Sequence, residues 1–361
     1  MTPLARRLTA RISEHGPLTV AEYMTAALTD PEHGYYTRHD PFGRRGDFVT
    51  APEVTQMFGE LLGVWCGNAW QSLGEPQPIR LVELGPGRGT LMADALRALA
   101  RALPACLAAA RVHLVETSPR LRREQAQRLR DIDPEVDWHD SFTDVPPGPL
   151  LLVANEFFDA LPVRQFEKTE EGWRERLVTV GNEGLCLTLS PTEPGPDALP
   201  RGLTGKEPTG TVVEDCPTGR ALVRDIAGRI EGHGGAALII DYGEATEERG
   251  DTLQATRRHA FTHVLAEPGD ADITAHVRFA ALAREAREAG ARVHGPETQA
   301  RFLRRIGIEA RAAALFRGAN ARQRRDIAAA VERLIAPTEM GTLFKALAIV
   351  APEAPAPGGF Q

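Results

Sequence analysis

Leu81 to Leu99, LVELGPGRGTLMADALRAL, is the stretch whose residue types and spacing point most directly to chemistry. Glu83 sits near the end of an apolar run, Gly85, Gly87 and Gly89 follow at alternating positions around Pro86, and Thr90 opens an apolar-periodic segment. Strand, glycine turn and helix in that order bring backbone N–H groups and a helix N-terminus to one spot at the carboxyl edge of a parallel sheet. Such a spot holds a nucleotide. The spacing is G-x-G-x-G, whereas the dinucleotide fingerprint is G-x-G-x-x-G, with its third glycine placed for helix packing.

The tighter spacing, led by an acid, suits a ligand without a pyrophosphate whose ribose and charged amino-acid end need a closely curved backbone. S-adenosylmethionine (SAM) has those features. A second acid agrees: Glu116 ends the run RVHLVE, just before Ser118, where a carboxylate can accept bonds from both ribose hydroxyls. It lies further along than the roughly 20 residues of the dinucleotide motif. A third polar strand end, NEFF at Asn155 to Phe158, completes the set. The bland alternatives are a tight turn that holds nothing and a solvated strand end at Glu116.

The elements that position these residues alternate. From Ile79 the pattern runs IRLVEL, a helix to about Ala109, RVHLVE, a helix from about Pro119 to Arg130, then LLLVANEF. Strands separated by helices of that size imply βαβ units and a parallel sheet. Upstream, a helix at the N-terminus leads to a long loop rich in Gly, Pro and aromatics, DPEHGYYTRHDPFGRRGDFVTAPE, and then a helix from about Val54 to Leu73. A loop of that length in a compact domain implies binding. Tyr35 and Tyr36 within it either line a pocket or pack.

After Pro162 the rhythm changes to polar and apolar alternation in VRQFEKT, WRERLVTV and LCLTLS, separated by EEG and GNEG, which is hairpin chemistry. The α/β pattern returns with a helix around Thr218 to Ile230 and the strand AALIIDYG. Helices at about Thr274 to Ala289, Gln299 to Ile306 and Ala321 to Leu334 precede a last strand, TLFKALAIVA. The expected domains are N-terminal helices with an active-site lid (1–75), a cofactor-binding α/β core (76–161), a β-rich insertion lobe (162–216), the rest of the core with added helices (217–351) and a disordered Pro/Gly-rich tail (352–361).

Composition bounds the function. The chain has 361 residues, 42% hydrophobic, and a net charge of -7 with 25% charged residues. That length exceeds the roughly 250 residues at which single cores tend to split. The charge carries no basic excess of the kind that nucleic-acid or anionic-membrane binding requires. Cys66, Cys106, Cys186 and Cys216 lie far apart without C-x-x-C or neighbouring His, which argues against a zinc site and a disulfide framework and for a reducing compartment. No apolar run reaches the roughly 20 residues of a membrane span. The Arg-bearing start MTPLARRLTARI reads as an amphipathic first helix, with a mitochondrial presequence as the alternative. The expected location is a bacterial cytoplasm, or the mitochondrial matrix in a eukaryote.

Taken together, GDFVTAPEVTQMFGE, VELGPGRGTL, NEFFDALPVRQF, DYG, DITAHVRF, TQARFLRRIGI and EMGTLFKALAI resemble the MidA-like methyltransferases, in order and from about Pro17 to Val350. The resemblance implies a Rossmann-like, seven-stranded SAM-dependent methyltransferase core carrying an antiparallel β insertion and an N-terminal helical and lid region. It implies SAM as cofactor and no metal. The mitochondrial branch is associated with respiratory complex I assembly and protein arginine methylation, so it implies a protein acceptor. Two positions depart from the usual pattern: Arg278 stands where Asp is common after HV, and Ala300 where Gly is usual after TQ.

The chemistry such an acceptor needs can be set against the residues. A guanidinium has a pKa of roughly 13.8, so the site must hold the cation and take a proton. Carboxylates do both, matching its fork in bidentate geometry. The candidates are Glu156 and Asp159 at the end of the fourth strand, with Asn155 beside them and Glu53 reaching over from TAPE, while Asp47 and Phe48 help close the pocket. SAM falls to Glu83, Gly85, Pro86, Gly87, Gly89, Thr90, Glu116, Ser118 and Asn155. A structural role as a helix partner or N-cap is the alternative for Glu156, Asp159 and Glu53. Two rival functions stay open. Asn155 and Phe158 have the outline of the N-x-x-F element of enzymes that methylate amide or nucleobase nitrogens, and a SAM-binding assembly factor would need no catalysis. The last strand could pair two subunits as readily as complete the sheet.

Overall fold

The computed structural model describes residues 1–38, 50–132, 135–195, 198–246 and 249–361. The chain divides into two compact units. The larger comprises Val49–Phe158, Arg220–Thr246 and Val277–Gln361, and the smaller Met1–Phe48, Asp159–Gly219 and Glu247–His276. Expected lid residues Asp47 and Phe48 lie outside the described residues.

The larger unit is built on one sheet. Its strands are β1 Ile79–Leu84, β2 Ala110–Val115, β3 Val136–His139, β4 Leu150–Asn155, β5 Gly235–Glu244, β6 Arg292–Thr298 and β7 Phe344–Val350. They lie side by side in the order β6-β7-β5-β4-β1-β2-β3, and an eighth strand of two residues, Val277–Arg278, runs parallel to the end of β5. β1 to β5 are mutually parallel, whereas β7 is antiparallel to both of its neighbours. The chain moves outward in one direction from β1 and in the other from β4, so these adjacent strands flank the topological switch point, where open α/β sheets bind ligands. β4 and β7 are buried along their whole length. Runs such as LLLVAN and FKALAIV therefore show no alternation, as a sheet covered on both faces requires.

A helix beginning at the glycine turn, α2 Thr90–Ala102, is placed by a helix that precedes the sheet, α1 Gln56–Ser72. Gly59 and Gly63 of α1 face it directly. A Cβ on Gly59 would lie 2.7 Å from Asp94 Cβ, and one on Gly63 2.5 Å from the Ala95 carbonyl oxygen. The two backbones thus approach as only glycine permits, which fixes where α2, and with it the turn at its N-terminus, can sit.

The smaller unit is antiparallel. Leu18–Thr19, Gly172–Gly181, Arg164–Thr169 and Val212–Asp215 pair in that order, with Gly184–Leu189 on Gly172–Gly181, and the hairpin signals of the sequence supply these turns. A second sheet joins Ala260–Thr262, Gln254–Arg257 and Asp272–Thr274. Its apolar interior combines helix residues Leu4, Leu8, Tyr23 and Met24 with Val163, Val178 and Ile273. Thr19 and Glu22 form a reciprocal capping box at the start of the second helix.

Several local expectations are corrected. The helix expected from Thr274 begins only at Phe279, because Asp272–Thr274 and Val277–Arg278 are strands. The expected helix reaching Ala109 breaks at Leu103, where Pro104 starts a separate helix, Pro104–Ala109. The strands Val212–Asp215, Gln254–Arg257 and Ala260–Thr262 are too short to leave a periodic signal. The last pair is joined by Arg258 and His259, both left-handed at φ 52° and 60°, without the glycine that announces such a turn. Residues 352–361 are not a loose tail. Trp65 Nε1 donates to the Gly358 carbonyl at 3.0 Å, and the Phe360 ring lies 5.3 Å from that of Phe302. The Arg292 and Arg305 guanidiniums donate to the Ala354 and Gly359 carbonyls at 3.1 and 3.2 Å, so the segment is tied along its length.

Candidate active site

Two turns at the carboxyl ends of adjacent strands build the site. The first follows β1. Gly85, Gly87 and Gly89 all have left-handed backbones, at φ 60°, 52° and 75°. The Gly89 N–H donates to the Pro86 carbonyl at 2.7 Å, closing the turn, and Gly89 caps α2. A side chain at Gly85 would strike the Phe157 ring at 2.6 Å, so the two turns touch here.

Acids surround the first turn. Glu83 is buried in β1, accepts the Met92 N–H, and has its pKa pushed up to about 8 by desolvation. Its Oε2 has no hydrogen-bond partner among the described residues. Glu116 follows β2, its Oε1 accepting the Ser118 N–H at 2.7 Å and its Oε2 the Gln125 side chain at 3.3 Å, and burial raises its pKa. Ser118 caps helix α3, Pro119–Leu129, accepting from the Leu121 N–H. Thr90 Oγ1 donates to Glu53 Oε1 at 2.5 Å, tying the short helix Ala51–Val54 to the start of α2.

The second turn follows β4. Glu156 has φ 50°, a left-handed conformation that a side chain disfavours. Its own N–H donates to the Ile240 carbonyl at 2.9 Å, while its Oε1 accepts from the Ala51 N–H at 2.9 Å and from Asn155 Nδ2 at 3.0 Å. Asp241 of β5 is fully buried. Its Oδ2 accepts the Phe157 and Phe158 N–H groups at 3.1 and 2.9 Å, and its Oδ1 accepts the Tyr242 N–H. The strained turn is therefore held from three sides.

Of the residues picked from the sequence, Glu53, Glu83, Gly85, Pro86, Gly87, Gly89, Thr90, Glu116, Ser118, Asn155 and Glu156 all belong to the larger unit. Asp159 belongs to the smaller, where its carbonyl accepts the Ala275 N–H. Tyr35 and Tyr36 are there too. Tyr35 is buried edge-on to Tyr36, whose hydroxyl donates to Asp272 at 2.9 Å. Burial, with Asp272 and Asp159 nearby, keeps the Tyr36 phenol protonated well past its usual pKa. Sequence reasoning missed Asp241, although an acid closing the apolar run AALIID repeats the signal of Glu83 in LVEL. It also missed Gln125, which nothing in its helix distinguishes.

The residues present fit SAM. Glu83 Oε2 and Asn155 Oδ1 are buried acceptors without a hydrogen-bond partner among the described residues, and such atoms are costly unless a ligand or water pairs them. SAM offers an ammonium, an adenine amino group and two ribose hydroxyls as donors.

Comparison with known proteins agrees. The family described as "Putative S-adenosyl-L-methionine-dependent methyltransferase" matches residues 61–297. The mitochondrial protein arginine methyltransferase NDUFAF7 of Xenopus tropicalis is 39% identical over 96% of this chain and 85% of that protein. Its Drosophila melanogaster homologue is 40% identical, over 96% and 84%. A crystal structure from Burkholderia thailandensis, bound to S-adenosyl-homocysteine (SAH), superposes with a TM-score of 0.84 at 31% identity, covering 99% of this chain and 94% of that one. With the sheet order, the glycine turn and near full-length relatives in agreement, the chain belongs to the MidA-like family of SAM-dependent methyltransferases.

Proposed function

We propose that this methyltransferase acts on a guanidinium nitrogen of a protein arginine, with Glu156 as the group that holds the acceptor. The observation that carries the reading is the left-handed backbone of Glu156 at the end of β4, beside the cofactor turn. A non-glycine residue kept in that conformation costs about 1–3 kcal/mol, and such strain gathers at functional sites. The names of the relatives, protein arginine methyltransferase, support the same acceptor.

SAM supplies a methyl already made electrophilic by the sulfonium. What the chain must do is bring the acceptor nitrogen in line, and orientation of that kind contributes roughly 7–11 kcal/mol. Gly85 to Thr90, Glu83, Glu116 and Ser118 would hold the cofactor, and Asn155 the boundary between cofactor and acceptor. Two donors, the Ala51 N–H and Asn155 Nδ2, fix the Glu156 carboxylate. In that rotamer it pairs with the guanidinium and takes its proton as the methyl arrives. Glu53, engaged with Thr90, acts as a positioning residue at the start of α2.

The test uses purified protein, labelled SAM and lysate of a deletion strain, followed by mass spectrometry of the labelled species. Methylarginine is expected with the wild-type protein and none with Glu156→Gln, which should keep SAH affinity within a few fold. Label on an amide nitrogen or a nucleic acid would replace the arginine reading, and methylarginine formed by Glu156→Gln would remove Glu156 from the chemistry.

A further inference from the structure

We infer that Gln125 is a positioning residue for the cofactor, locking the glycine turn and Glu116 into one preformed cradle, and that Trp138 sets the direction in which it does so. The inference rests on the reading of the glycine turn and Glu116 as the cofactor's holders. Gln125 lies in α3 and is fully buried. Its Nε2 donates to the Gly87 carbonyl at 2.7 Å and to Glu116 Oε2 at 3.3 Å, while its Oε1 accepts from Trp138 Nε1 at 2.8 Å. One amide thereby joins the turn after β1, the acid after β2 and the interior of β3.

The chemistry allows only one orientation. An indole N–H donates and never accepts, so Trp138 demands the amide oxygen. Both amide hydrogens are then directed at acceptors, a carbonyl and a carboxylate. A flipped amide would set its NH2 against the indole N–H and its oxygen against Glu116, losing all three bonds. Trp138 thus settles by chemistry which way the amide faces.

The consequence falls on Glu116. Its Oε1 accepts the Ser118 N–H and its Oε2 the Gln125 amide, and the Thr117 N–H also donates to the carboxylate. A carboxylate has about four lone-pair sites, so capacity remains for a further donor from the cofactor. Two hydroxyls on adjacent ribose carbons present two donors. The bond to Gly87 matters equally, because Gly87 is the middle of the three left-handed glycines, and fixing its carbonyl fixes the direction of the Gly87–Arg88 peptide plane. Packing adds to this, since Gly89 lies against the stem of Gln125: a Cβ there would approach Gln125 Cγ to 3.3 Å.

Gln125→Met keeps the length and the contact with Gly89 while removing every hydrogen bond. Hydrogen bonds to charged groups contribute enough that SAH affinity, read by calorimetry, should fall about 10–100-fold. KM for SAM should rise in parallel while KM for the acceptor protein stays within twofold, a split that general loosening of the fold would not produce. Combined with Glu116→Ala, Gln125→Met should add much less than its effect alone. Trp138→Phe leaves Gln125 in place without its orienting donor and should weaken SAH binding by a smaller factor, and it decides the matter if Gln125→Met does not fold. Unchanged SAH affinity in Gln125→Met, or in Trp138→Phe if only that variant folds, while Glu116→Ala binds poorly would overturn the role of Gln125. Unchanged affinity in Glu116→Ala itself would instead overturn the placement of the cofactor.

Discussion

The turns after β1 and β4 solve one geometric problem in opposite ways. Both need a backbone in the left-handed region. After β1 three glycines supply it without steric cost, and the surrounding acids are, on the proposed reading, partners for the cofactor. After β4 a glutamate supplies it against its own side chain, and Asp241, Ala51 and Asn155 hold it there. The difference suggests a division of labour. On the proposed reading, side chains are deleted where the backbone approaches the cofactor, and where a side chain acts on the acceptor the chain accepts strain and braces it.

The sharpest way to break this division is Gly87→Val. A branched side chain at φ 52° costs roughly 1–2 kcal/mol in backbone conformation alone. SAH binding should become undetectable by calorimetry with the circular dichroism spectrum retained; wild-type affinity would show that the turn is not the cofactor site. Next in size, Glu156→Gln should lose methyl transfer in a steady-state assay while SAH affinity changes by only a few fold. A comparable loss of both would mean that the two turns are not separable.

Asp241→Asn probes the brace. The carboxylate uses both oxygens on three N–H groups, and an amide has only one acceptor oxygen. We expect kcat to fall about tenfold, as loss of roughly one such bond implies, with a lower melting temperature and unchanged KM for SAM. The smallest effect concerns Glu83. Its folded pKa of about 8 lies above the ordinary 4.5, so the folded state binds the extra proton and stability is lost as pH rises between those values. Thermal melts at pH 5 and pH 8 should therefore differ less in Glu83→Gln than in the wild type, by several degrees. An equal pH dependence in both proteins would place the titration elsewhere.

How far each turn could be read in advance follows from the same contrast. Glycines at alternating positions and an acid at each strand end are local signals, so Gly85, Gly87, Gly89, Glu83 and Glu116 stood out from residue types alone. The parallel strands were equally legible, since fully buried runs such as LLLVAN have few alternatives. Glu156 could be picked as a carboxylate at a strand end, but its left-handed backbone could not, because nothing in NEFF announces strain that Asp241, more than 80 residues later, makes tolerable. Gln125 is hidden for a related reason: its partners Gly87 and Trp138 come from two other elements, and no periodicity encodes a bond between them. Short strands such as Ala260–Thr262 escape because three residues cannot show a period.

The position of β7 bears on how the protein comes into being. This strand is threaded between β5 and β6, both made earlier on the ribosome, and all seven of its residues are buried. Until residues 344–350 leave the exit tunnel, the nascent chain exposes one open edge of β5 and an orphaned β6. Completion of the sheet waits on that strand, and a message truncated shortly before codon 344 would yield a product for proteases rather than a weakened enzyme.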